Sequence, residues 1–189
     1  MISIADIEEI FARRGAEQYS AEPVTQLEHA LQCAWLAEQN GSDDELVTAA
    51  LLHDLGHLLH DLNSELGQSP TLQGVDDAHQ YFALPFLRGL FSDSLLNGIK
   101  LHVDAKRFLC ATKSEYFASL SADSVRSLAL QGGIFSPDQA QAFIMQPGAS
   151  AAVKLRIWDD LAKIPNLKTP SIEHFLQRAK SCVLPSAKS

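Results

Sequence analysis

Apolar residues return at three- and four-residue intervals along almost the whole chain, the period of helices that turn one face to a core. Ile4, Ile7, Ile10 and Phe11 predict a helix over residues 3–19. Thr25-Gln26-Leu27-Glu28 is a capping box, in which hydroxyl and carboxylate satisfy N–H groups left over at a helix start. It opens a helix that Asn40-Gly41 closes after Gln39. Ser42-Asp43-Asp44-Glu45 repeats the signal and predicts a helix reaching about His53. Further helices are predicted over 76–90, 92–103, 105–118, 121–131, 137–145, 149–163 and 171–183, with Pro137, Pro147, Pro165 and Pro170 at boundaries. No segment alternates as a strand does, and residues 63–76, containing Gly67, Ser69-Pro70 and Gly74, read as the one long loop. The expected fold class is all-α, a single domain over residues 1–184 with a frayed tail at 185–189.

Composition narrows the class. A chain of 189 residues, 46% hydrophobic and 20% charged, suits one domain with a sizeable core and excludes disorder. No apolar run approaches the ~20 residues of a membrane span. The N-terminus has no basic start before an apolar stretch, so a cytoplasmic protein is expected, as a monomer or homodimer. Cys33, Cys110 and Cys182 lie far apart, which suits reduced thiols rather than a disulfide or a cysteine metal site. The formal net charge of −8 argues against nucleic acid or an anionic membrane as partner. That charge is uneven: residues 1–62 hold 12 acids against Arg13 and Arg14, and the remainder holds 11 acids and 13 bases. Lys100, Lys106, Arg107 and Lys113 face one acid, Asp104, a run that is ordinarily a solvated helix face.

Candidate chemistry gathers in His53-Asp54-Leu55-Gly56-His57-Leu58-Leu59-His60. Asp54 follows the apolar run Ala49–Leu52, where an unpartnered carboxylate is costly to bury. A metal removes that cost, and the two oxygens of one carboxylate can bridge two ions. Gly56 would let the chain turn tightly after the pair. His79, ahead of an apolar helix, and His102, in Ile99-Lys100-Leu101-His102, offer further imidazoles. Imidazole and carboxylate donors without cysteine suit a hydrolytic two-metal site or non-haem iron alike.

His29, His53-Asp54 and Asp159, the last in Arg156-Ile157-Trp158-Asp159-Asp160, resemble the H…HD…D pattern of HD-domain metalloproteins over roughly residues 19–163. The resemblance implies a single HD-domain helical bundle with ligands projecting inward, Asp159 rather than Asp160 among them. Asp160 is then left exposed or pairing a base. Residues 26–33, 50–57, 102–107, 131–133 and 158–163 are similar, more narrowly, to the HD-domain mixed-valent diiron oxygenases of phosphonate catabolism, distant relatives of myo-inositol oxygenase. That likeness implies an oxidoreductase, a dioxygenase using O₂ to cleave a C–P bond. Its substrate would be 1-hydroxy-2-(trimethylammonio)ethylphosphonate or 1-hydroxy-2-aminoethylphosphonate, giving glycine betaine or glycine plus phosphate.

The implied cofactors are two iron ions, Fe(II)/Fe(III). His29, His53, Asp54 and Asp159 would hold one, and Asp54, His79 and His102 the other. Lys106 and His57 are the implied catalytic residues, and four-residue spacing places Lys106 on the face of His102. Lys106, Arg156 and His57 would surround the phosphonate of a small zwitterionic substrate, with Tyr19 and Glu22 as a lid at its amine end. A trimethylammonium group has no N–H to donate, and Tyr19 with the long loop favours that substrate. The alternative is an HD-type metal-dependent phosphohydrolase acting on a nucleotide or other phosphomonoester, which would not require both His79 and His102. His60 and His174 fit no ligand position.

Overall fold

The structure, a computed structural model, describes residues 2–59, 74 and 78–187. His60, Asp76-Asp77 and all of the predicted loop except Gly74 lie outside the described residues. Among the described residues there are helices and turns but no strand, so the all-α expectation holds.

The elements are α1 (Ile4–Arg14), α2 (Gln26–Gln39), α3 (Asp44–Leu52), α4 (Leu55–Leu59), α5 (His79–Phe82), α6 (Leu84–Leu87), α7 (Asp93–Thr112), α8 (Tyr116–Ser119), α9 (Ala122–Leu130), α10 (Pro137–Ile144), α11 (Ala149–Leu161) and α12 (Ile172–Ser181). Local chemistry accounts for most boundaries. The Thr25–Glu28 capping box forms as the sequence predicts, and Ser3 with Asp6 and Ser136 with Gln139 cap α1 and α10 in the same way. Each such cap is worth about 1 kcal/mol. The cap of α3 is Asp43, one residue later than predicted, its carboxylate accepting from the Leu46 N–H.

Four predicted helices differ from those observed. α1 stops at Arg14, and the Gly15 carbonyl accepts from the Leu27 N–H at 2.9 Å; that close approach leaves no room for a side chain at Gly15, where a Cβ would lie 2.9 Å from that of Leu27. The helix predicted over 76–90 splits into α5 and α6, with Pro85 in the first turn of α6, where proline is tolerated. The helix predicted over 92–103 and the first part of that predicted over 105–118 merge into the 20-residue α7, since nothing at Asp104 interrupts the backbone ladder; the remainder falls in the separate α8. At the C-terminal end, where fraying is expected from residue 185, Pro185–Ala187 form one 3₁₀ turn and Ala187 packs on the core.

α2, α3, α7 and α11 form the central bundle, with α1 and α12 closing it. Its core is built from Ile7, Phe11, Cys33, Leu51, Leu52, Ile99, Leu155, Trp158 and Phe175, all buried. A second, smaller cluster joins Leu101, Ala105, Phe143, Ala149 and Ala152. All three cysteines are free, and no helix of the described residues is long and apolar enough to cross a membrane.

Candidate metal centre and adjoining cleft

Four of the bundle's elements deliver polar groups to its middle. His29 stands on the first turn of α2, His53 caps the C-terminus of α3, His102 lies midway along α7 and Asp159 near the end of α11; all four are buried. Asp54 follows His53 in the turn before α4, and His79 begins α5. These residues fall into two sets that share Asp54. His29, His53, Asp54 and Asp159 converge on one side, and Asp54, His79 and His102 on the other. The Nε2 atoms of His29 and His53 lie 3.6 and 3.3 Å from Asp54 Oδ2, and those of His79 and His102 lie 3.2 and 3.5 Å from Oδ1.

Backbone carbonyls set the ring orientations. Nδ1 of His29 faces Ala162 O at 2.9 Å, that of His53 faces Ala50 O at 2.9 Å, and that of His102 faces Ile99 O at 2.7 Å. A Nδ1–H bonded to a carbonyl leaves Nε2 as a lone pair, the arrangement of a metal-ligating imidazole. Nε2 then meets Nε2 at 3.2 Å in both pairs, His29 with His53 and His79 with His102. Burial holds His29 and His102 down at about 4, neutral at pH 7. Burial also opposes charge on His53, but Asp54 and Asp159 outweigh it and raise its pKa. Asp54 Oδ1 is buried with no hydrogen-bond partner. Imidazole nitrogens packed around a carboxylate oxygen with no hydrogen-bond partner suit a cation held between them, and this hard-to-borderline N/O donor set fits divalent or trivalent first-row metals.

A cleft of about 600 Å³, open to solvent, reaches the second set. Asp54, His79, His102 and Asp159 form its floor, while His29 and His53 lie behind them. Every residue proposed from the sequence for the substrate, Tyr19, Glu22, His57, Lys106 and Arg156, lines this cleft. Tyr19 stacks on His29 with centroids 3.8 Å apart, its hydroxyl 3.5 Å from Asp159 Oδ1. His57 stacks on His79 at 4.1 Å. Lys106 is 2% exposed and donates to Ser127 Oγ at 2.6 Å. Among the described residues it has no carboxylate partner. Burial, with Arg156 nearby, lowers its pKa to about 7. Of the basic run, Lys100 and Lys113 are exposed, and Arg107 instead ties the turn at Gly132 and Gly133 to α7, with its guanidinium over Phe135. The solvated-face reading thus holds for Lys100 and Lys113 but not for Lys106.

One reading changes. Gly56 lies within α4 rather than in a turn, and a Cβ there would sit 2.1 Å from His79 O; the glycine lets α5 approach α4. Glu22 lines the cleft with its carboxylate accepting from Lys163 Nζ at 2.9 Å. Sequence reasoning did not assign Lys163, Ser124, Ser127 or Gln131 to the cleft. The three-residue spacing of Ser124 and Ser127 on α9 was the available signal, but serines on an amphipathic helix ordinarily face water. His174 pairs with Glu38 at the surface, 2.9 Å away.

Residues 26–120 match the HD domain family. The chain is 40% identical over 166 residues to a 1-hydroxy-2-(trimethylamino)ethyl phosphonate dioxygenase (glycine-betaine-forming) of Leisingera caerulea, covering 88% of this chain and 83% of that protein. It is 39% identical over 180 residues to a hydroxymethylphosphonate dioxygenase of Gimesia maris, covering 95% and 88%. An uncharacterized protein of Acanthamoeba polyphaga mimivirus is 32% identical over 168 residues, covering 88% and 75%.

Proposed function

The chain belongs to the HD-domain family, alongside its phosphonate dioxygenases, and from that premise we propose that it is an oxidoreductase that uses O₂ to cleave the C–P bond of a small 1-hydroxyphosphonate. The substrate we assign is 1-hydroxy-2-(trimethylammonio)ethylphosphonate, or its free-amine counterpart, converted to glycine betaine or glycine plus phosphate. One substrate and one O₂ balance one carboxylate and one phosphate, so no further reductant is needed. The relatives favour oxygenation over phosphomonoester hydrolysis.

The observation that carries the reading is a pair of imidazole–carboxylate sets sharing Asp54, opening on one side to a cation-lined cleft. His29, His53, Asp54 and Asp159 would hold one metal, and Asp54, His79 and His102 the other; we assign iron to both. The metal pair, when bound, supplies O₂ activation and a Lewis-acid hold on substrate oxygens, chemistry that side chains lack. A C–P bond offers no good leaving group until its carbon is oxidised, which is why a phosphonate needs this centre.

The protein's own groups bind and orient. Lys106, short of a carboxylate, takes the phosphonate as a point charge from the helix face of His102, one turn away. Ser127 Oγ, within 2.6 Å of its ammonium, is a second polar contact beside it. Arg156 and Lys163 extend the cationic wall, and His57 closes it next to His79. The buried Gln131 Oε1, which has no hydrogen-bond partner, is an acceptor for the substrate hydroxyl. Tyr19, stacked over His29, keeps water from the enclosed set.

A second substrate reading rests on the Glu22–Lys163 ion pair. Among the described residues, the cleft-lining carboxylates outside the metal sets, Glu22 and Asp123, are paired with Lys163 and Arg126, which suits the smaller, amine-free hydroxymethylphosphonate. Anaerobic loading with Fe(II), then O₂ uptake and phosphate release with all three phosphonates, tests both readings. Phosphate release coupled to O₂ uptake is expected, and the preferred phosphonate decides between them. Release that proceeds without O₂ would overturn the oxygenase.

A further inference from the structure

Arg156 is 5% exposed, and its guanidinium has more partners than a substrate anchor needs. Nη1 meets Asp159 Oδ2 at 2.7 Å. Nε donates to Asp160 Oδ2 at 3.1 Å and to the Tyr116 hydroxyl at 3.2 Å. Nη2 donates to Asp160 Oδ1 and, at 3.3 Å, to Ser124 Oγ. Tyr116 in turn donates to Asp160 Oδ2. The outer edge of the guanidinium is therefore held by a two-point fork from Asp160, braced by Tyr116. Only Nη1 is left to reach the metal-facing carboxylate.

The consequence falls on Asp159. Its Oδ2 is taken by Arg156, while Oδ1 lies 3.5 Å from His29 Nε2 on the side of the shared cluster. The Tyr19 hydroxyl, 3.5 Å away, also faces Oδ1, and His53 Nε2 lies 4.0 Å from Oδ2, but the guanidinium makes the one short contact to the carboxylate. Fork geometry is directional, and its direction comes from Asp160. Asp160 and Tyr116 do not line the cleft, so neither meets the substrate. Tyr116 also stands on α8, whose other residues are exposed, and so holds that segment to α11.

We propose that Asp160 and Tyr116 are positioning residues that act through Arg156 to aim Asp159 at the metal pair. The inference rests on the proposed role of Asp159 as a ligand. Outer partners of ligating carboxylates typically govern metal affinity by about 10- to 100-fold.

The test measures metal content and metal affinity by chelator competition, with thermal stability and steady-state kinetics alongside, on Fe(II)-loaded protein. Asp160→Asn and Arg156→Lys are each expected to weaken one of two bound metals by about tenfold or more. Tyr116→Phe keeps the ring and removes only the hydroxyl, and should act in the same direction by a smaller factor. The double variant Arg156→Lys/Asp160→Asn should be no worse than Arg156→Lys alone, since the Asp160 carboxylate contacts the Arg156 guanidinium and not the Asp159 side chain. Losses that add in full would overturn the relay. So would wild-type metal affinity in both Asp160→Asn and Tyr116→Phe, even if their melting temperatures fall. If the wild-type protein itself holds fewer than two metals, the proposed metal pair fails, and this inference with it.

Discussion

The two sides of Asp54 are built from different materials. His29, His53 and Asp159 stand on or at the ends of α2, α3 and α11, long helices that share the main core. On the other side, His102 has comparable support from α7, but His79 opens a helix of four residues. The residue before it, Ala78, has φ of 50°, a left-handed conformation that costs a non-glycine residue roughly 1–2 kcal/mol. What brings His79 in is the contact of its backbone with Gly56. The enclosed set is a by-product of core packing, whereas the set facing the cleft depends on one close approach. An open site that exchanges substrate is the natural place for the less constrained ligand.

The comparison can be broken most directly at the residue both sides share. Asp54→Asn preserves shape but removes the charge that four imidazoles face, so both metals and all turnover should be lost. Retention of one tightly held metal would show that the two sides are independent. Next in size, His102→Ala and His29→Ala should separate the sides. His102→Ala is expected to cost one metal and nearly all turnover with the smaller fall in melting temperature, because its Nδ1 bond to Ile99 O lies within α7 and joins no second element. His29→Ala should cost a metal and also stability, because it removes the bond to Ala162 and the stacking surface of Tyr19. Equal melting temperatures would contradict the claim that one side is part of the core.

Gly56→Ala tests the close approach itself. A methyl group 2.1 Å from His79 O must push α5 away, with an overpacking cost of about 1–3 kcal/mol. Metal titration should show the cleft-side ion weakened and the enclosed ion unchanged.

The smallest effect concerns Lys106. Its pKa falls from 10.5 to about 7 on folding, mainly through burial. Below pH 7 it is charged in both states, and folding bears the full cost of burying that charge. Between pH 7 and 10.5 the unfolded chain binds more protons, so stability rises with pH; above 10.5 the cost is gone. Urea melts of metal-free protein should therefore show Lys106→Met more stable than wild type near pH 7, with the gap closing toward pH 10.5. A gap independent of pH would mean that Lys106 is not buried as a lone cation.

Much of the centre is legible in the sequence. His53-Asp54 stands out because a carboxylate after Ala49–Leu52 has no cheap place in a core, and Lys106, which the resemblance implies, stands four residues from His102 on the same helix face. The resemblance implies Arg156 as a phosphonate contact, yet most of its hydrogen bonds go to Asp160, Tyr116 and Ser124. Periodicity located most helices but missed the break at Ala83 and the continuity of α7, because apolar spacing records a buried face and not where the backbone ladder stops.

The sequence by itself determined the helical class, the caps, and which residue types are available for ligation, since these follow from neighbours within one or two turns. The tertiary structure alone decided that Asp54 gives one oxygen to each set, that Lys163 neutralises Glu22, and that Gly56 serves contact rather than turning. Each of these joins residues distant along the chain or on separate elements. Their distances are set by how whole helices pack, a property that no local spacing encodes.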